Sequence, residues 1–187
     1  MIWRAAVLFV CAFTLGAQQD TSPQDATGVG EFTAFAGGVF GIGSHPSGGV
    51  AFASPTSRHI VPNLEFAVAG LGSYDFRSGD LNRTVNLRRS TLYDLNGSIQ
   101  VRFPNRTHML PYFGVGAGLL RFTNDVESAG PAGNVVVHGA SNYLAGNFSG
   151  GARYYITDHL GVRPEIKGYI SNKNFVRFSV GIFYQFP

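Results

Sequence analysis

Residues 176–187 read V-R-F-S-V-G-I-F-Y-Q-F-P, and their alternation decides how the rest of the chain is understood. Val176, Phe178, Val180, Ile182, Tyr184 and Phe186 take every second position, with Arg177, Ser179, Gly181, Phe183 and Gln185 between them. Successive side chains of a strand point to opposite faces, so this segment has one apolar face and one mostly polar face.

Working back from it, the same period of two recurs over 31–42, 48–53, 63–74, 90–103, 110–123, 142–156 and 160–171. The stretch 90–103 alternates most cleanly: Tyr93, Leu95, Gly97, Ile99, Val101 and Phe103 oppose Asp94, Asn96, Ser98, Gln100 and Arg102. Residues 31–187 therefore predict an all-β domain, an eight-stranded antiparallel up-and-down transmembrane β-barrel. Only the second strand is expected to be short, following a turn around His45, Pro46 and Ser47. The parity blurs at Leu119 and Leu120, where a bulge is expected. Polar stretches at 75–89 and 124–141 read as long loops at one end of the barrel, opposite the shorter connections at 54–62, 104–109 and 157–159.

Ahead of the barrel, residues 1–17 read as a cleaved secretory signal, with Arg4 as the positive start and 5–15 as the apolar run. Residues 18–30 read as a flexible polar lead-in. The one cysteine, Cys11, lies inside the leader, so a mature chain would carry no disulfide, thiolate or cysteine-ligated metal. The formal charge of +3 is too small and too scattered for nucleic acid, and no cofactor motif is present. Gly114-Val115-Gly116-Ala117-Gly118 lacks the spacing of a nucleotide loop.

On these residues the chain resembles the small eight-stranded outer-membrane barrels, the superfamily of the OmpA transmembrane domain and its porin-like relatives. Ser179, Gly181, Tyr184 and Phe186 resemble the C-terminal signal read by the barrel assembly machinery, with Pro187 as an added residue. The resemblance implies the bacterial outer membrane as location, its lipid and the assembly machinery as partners, and a monomer.

If the even face of the last strand meets lipid, the opposite faces gather Glu31, Glu65, Asp94, Arg102, Arg153, Arg163, Glu165, Lys167 and Arg177 in the lumen. Such charges must pair or keep water, and an eight-stranded barrel is just wide enough for side chains to fill it. The expected role is structural or surface contact with a plugged lumen. The alternatives are a narrow pore or small-molecule or lipid-binding barrel and, third, an outer-leaflet lipid-modifying enzyme. Lipid A deacylases, enzymes on this scaffold, place a His two before a Ser-Asn pair. Neither His138 with Ser141 nor Ser171 with Asn172 has that spacing. The five histidines all fall in expected turns or loops, without ligand spacing. Tyr74, Tyr93, Phe103, Tyr112, Tyr154 and Phe186 are expected in interfacial girdles, and Arg83, Arg88 and Arg89 as candidates for lipid phosphate. A soluble lipocalin-type barrel is the rival fold and would turn the apolar faces inward.

Overall fold

A computed structural model describes residues 30–57, 59–78, 83–104, 108–130 and 133–186, with the strand backbone alone over 73–78, 83–89, 126–130 and 133–136. The expected signal, nearly all of the lead-in and Pro187 lie outside the described residues.

Eight strands form one closed antiparallel barrel, each paired with its neighbour in sequence. They are β1 (Glu31–Phe40), β2 (Ser44–Ala53), β3 (Ile60–Ser78), β4 (Arg83–Arg102), β5 (Met109–Gly130), β6 (Gly133–Tyr155), β7 (Leu160–Ile170) and β8 (Phe175–Gln185). β8 closes the wall against β1 in unbroken register from Glu31↔Gln185 to Phe40↔Val176. Closure removes the free edges that an open sheet of this length would expose.

Alternation sorts residues across the wall in the direction that excludes the lipocalin arrangement. In β8, Phe178, Val180, Ile182 and Tyr184 face out and Arg177 and Ser179 face in. Leu64, Leu95, Ile99, Val115 and Ile166 continue the outer apolar belt on other strands. The interior holds carboxylates, guanidinium groups and amides. A surface this apolar around an interior this charged is the inverse of a soluble domain. β1, β2, β7 and β8 are 10, 10, 11 and 11 residues long, about the ~9–11 residues a tilted strand needs to cross a bilayer.

Several expectations change. The second strand is full length, because the turn lies at 41–43 and not at His45-Pro46-Ser47. Gly41 (φ 107°) and Gly43 (φ 110°) hold left-handed backbone there, which glycine adopts without steric cost. Pro46 stands beyond Ser47↔Ala69, the last β2–β3 pair, where proline's missing N–H is tolerated. The long loops are largely strand: β3 and β4 run to Ser78 and Arg83, and β5 and β6 to Gly130 and Gly133. β2 pairs with β3 only up to Ala69, and β7 with β6 only up to Gly146. The upper parts of β3–β6 therefore rise as a four-stranded wing above the rim formed by the other four strands.

The bulge expected at Leu119–Leu120 is absent, since the register on both sides passes through unbroken. Leu119 faces out and Leu120 faces in, and both are apolar because the lumen is apolar at that height. The irregularities lie instead at Gly70/Gly72/Tyr74 in β3 and Arg88/Thr91 in β4.

Candidate functional site: the lumen

The inward residues form three levels. At the end that carries the short turns, Glu31 is the hub. Its carboxylate accepts from Arg153 Nε at 2.9 Å and Arg102 Nη2 at 3.3 Å, and Arg163 Nη1 lies 3.6 Å away. Arg153 also donates through Nη2 to Gln100 Oε1 at 2.7 Å and lies over the Tyr112 ring, 4.6 Å from its centroid.

The middle level is organised by Glu65. It pairs with Lys167 at 2.8 Å and with Arg177, and accepts from Asn96 Nδ2 at 3.3 Å. Arg177 reaches Asp94 at 3.4 Å and Glu165 at 3.7 Å, and Lys167 reaches Glu165 at 3.6 Å. Tyr169 donates to Asp94 Oδ2 at 2.5 Å, and Asn96 Nδ2 donates to the same oxygen at 3.0 Å. Arg163 links the levels, lying 3.9 Å from Glu65 and 3.8 Å from Glu165. All nine charged residues singled out in the sequence thus stand inside the barrel and in contact with one another.

Above them, at the wing end, the lumen turns apolar. Val39, Ala69, Leu71, Leu92, Leu120, Ala145, Tyr169 and Phe175 form one buried cluster, with Ile42, Phe122 and Tyr143 packed against it. Tyr169 and Phe175 stack at 4.3 Å, and Lys173 from the β7–β8 turn lies over the Phe122 ring at 5.9 Å.

Sequence reasoning missed this apolar level and the neutral groups that complete the network. Tyr112 is a correction: it is buried in the lumen and donates to Glu165 Oε2 at 2.6 Å, so it belongs to no girdle. Its place opposite Arg102 in the β4–β5 register was the available signal. Tyr93, Phe103, Tyr154 and Phe186 are on the outer surface. The side chain of Tyr74, and those of Arg83, Arg88 and Arg89, lie outside the described residues, although the backbone of all four is strand. Ser179 and Gly181 face the lumen, and Tyr184 and Phe186 face out with ring centroids 5.6 Å apart.

The pairs considered for catalysis are not assembled. His138 contacts Asp125 at 2.7 Å, but Ser141, three residues further along the strand, points to the opposite face. The Ser171 hydroxyl is held in its own turn, donating to the Lys173 carbonyl at 2.8 Å. His45 and His138 prove to be strand residues, in β2 and β6. Among the described residues no group of three or more His, Cys, Asp or Glu is placed to hold a metal ion.

An apolar outer belt, a charged lumen and eight up-and-down strands define the class: the chain has the fold of the small eight-stranded outer-membrane β-barrels. OprG from Pseudomonas aeruginosa matches with a TM-score of 0.56 at 14% identity, over 89% of this chain and 99% of that one. Ail, the attachment invasion locus protein of Yersinia pestis, matches with a TM-score of 0.56 at 11% identity, over 86% and 99%. The N-terminal β-barrel domain of Pseudomonas aeruginosa OprF matches with a TM-score of 0.54 at 15% identity, over 86% and 98%. At such identities the likeness is one of fold alone. No protein-family model and no curated protein sequence matches the chain.

Proposed function

We propose that this chain is a bacterial outer-membrane barrel with a structural and surface-contact role, its lumen sealed to solutes. The observation that carries the reading is the sequence of levels inside the wall. A paired charge network lies beneath an apolar cluster, so an ion crossing would have to displace buried salt bridges and then leave water altogether. The short-turn end faces the periplasm and the wing faces outward. The leader at 1–17 directs export, and Ser179, Gly181, Tyr184 and Phe186 present the insertion signal to the assembly machinery. Outer-membrane lipid surrounds the monomer.

The wing supports surface contact. On β6, residues 133–145 extend past the last β7 pair for roughly 40 Å at ~3.3 Å per residue, beyond what the bilayer covers. One neighbour of the same fold is named as an attachment invasion locus protein, which agrees with this reading at the level of the fold.

Planar-bilayer recording of the refolded protein tests the seal. The expected trace shows no steady single-channel current, and a reproducible conductance would overturn the sealed lumen. Location is tested separately. A folded membrane barrel changes gel mobility on heating, whereas purification of soluble folded protein without detergent would refute the membrane placement.

A further inference from the structure

The two charged levels of the lumen are not each balanced. Around Glu31, a single carboxylate faces three guanidinium groups, those of Arg102, Arg153 and Arg163. Around Glu65, three carboxylates (Glu65, Asp94 and Glu165) face Lys167 and Arg177, with Arg163 shared between the levels. The short-turn level therefore carries the cationic excess among the described residues.

Unmatched donors accompany that excess, although one donor at the Glu65 level, Arg177 Nε, is unmatched as well. At the Glu31 level, Arg102 Nε, Arg153 Nη1 and Gln100 Nε2 are donors for which the protein supplies no acceptor, whereas the Gln185 amide faces the Tyr155 hydroxyl. The Gln100 amide is fixed in orientation because its Oε1 accepts from Arg153. Arg102 and Arg153 both donate to Glu31, and Arg153 donates to Gln100, so these groups surround one hub. At the Glu65 level the unmatched atoms include carboxylate oxygens, Asp94 Oδ1 and Glu165 Oε1. All three donor residues at the hub are at least nine-tenths buried.

A buried cation without compensation costs several kcal/mol. Water can accept these hydrogen bonds but leaves the charge in place, whereas an anion answers both needs, and charge-assisted bonds are the stronger kind. The interior of an eight-stranded barrel is only just wide enough for side chains, which favours a monatomic ion over an oxyanion. The site lies close to the short-turn end, since Arg102 is the last residue of β4. We propose that the lumen holds a halide-binding site at this level, formed by Arg102, Arg153 and Gln100. The inference does not rest on the sealed-lumen reading, because a conducting barrel would bind halide here equally well and conductance is measured separately.

Two measurements on the refolded full barrel test it. In crystals grown with sodium bromide, an anomalous peak is expected within hydrogen-bond distance of Arg102 Nε and Arg153 Nη1. Urea unfolding should shift to higher denaturant as chloride replaces gluconate at constant ionic strength, since a ligand that binds only the folded state stabilises it. Arg102→Met should abolish that shift, and Arg121→Met, at an exposed outer position, should keep it. If Arg102→Met does not fold, the bromide peak and the chloride shift of the unaltered protein decide alone. Coincident chloride and gluconate curves without a bromide peak would overturn the site, as would sulfate density in place of halide. A chloride shift that survives Arg102→Met would refute its location.

Discussion

Glu65→Gln is the most informative single change, because it removes one charge from the middle of the lumen and leaves the shape of the side chain intact. Glu65 is buried, pairs with Lys167 at 2.8 Å and with Arg177, and lies 3.9 Å from Arg163. Breaking a buried pair by neutralising one partner typically costs ~3–5 kcal/mol, because the other charge stays desolvated. Here both cations keep a second carboxylate: Lys167 has Glu165 at 3.6 Å, and Arg177 has Asp94 at 3.4 Å. The loss should therefore fall near the lower limit, about 3 kcal/mol. The only tryptophan, Trp3, lies in the expected leader, so unfolding is better followed by circular dichroism of the refolded barrel in lipid vesicles across a urea series. Adding Lys167→Met to Glu65→Gln should recover part of the loss, with a coupling energy of ~0.5–3 kcal/mol. A Glu65→Gln barrel within about 0.5 kcal/mol of the unaltered protein, the scale of an inconsequential surface change, would refute the view that these contacts hold the lumen together.

Three further outcomes follow from the wall. Val180→Arg places a charge at mid-strand on the outer face of β8; in a bilayer it should cost ~2–4 kcal/mol, and a change within about 0.5 kcal/mol by the same assay would speak against lipid contact there. Gly116→Ala should destabilise by ~1–3 kcal/mol, because its Cβ would run into the Gly97 carbonyl oxygen and lie 2.7 Å from Ser98 Cα. Gly97→Ala, whose Cβ meets nothing within 4 Å, should be nearly neutral, and equal effects of the two on urea midpoints would refute the register drawn for β4 and β5. Phe186→Ser should slow insertion by purified assembly machinery into proteoliposomes while leaving detergent refolding unchanged; unchanged insertion would remove Phe186 from the signal.

The wall was legible in the sequence wherever its two sides differ. Between Tyr93 and Phe103 the outside is apolar and the inside polar, so the alternation is complete and both strand and facing can be read. The signal depends on that contrast and fails where the contrast does. In the proposed membrane placement both faces of the wing lie outside the bilayer, which accounts for the lost alternation of 75–89 and 124–141 and their look of loops, although most of their backbone is paired strand. The second strand was shortened for a different reason. His45-Pro46-Ser47 has turn composition, but the chain reverses at Gly41 and Gly43, where the backbone needs glycine.

The apolar level of the lumen failed by the same rule, and its failure is informative. Leu92, Leu120 and Phe175 occupy inward positions, where a charged lumen predicts polar residues. At Leu119–Leu120 that produced two adjacent apolar residues, which resemble a slip in register. A bulge and a change of medium leave the same trace in a sequence, because each breaks the alternation by one position. They differ across strands: a bulge disturbs one ladder, whereas a change of medium appears at the same height on several. Leu92, Leu120, Ala145 and Tyr169 come from four successive strands, β4 to β7, and meet in one cluster. An inward apolar residue in a small barrel is therefore better read against its register neighbours than along its own strand. Across strands, the interior changes from charged to apolar along its axis, with the apolar level at the wing end and the cationic hub at Glu31 at the short-turn end.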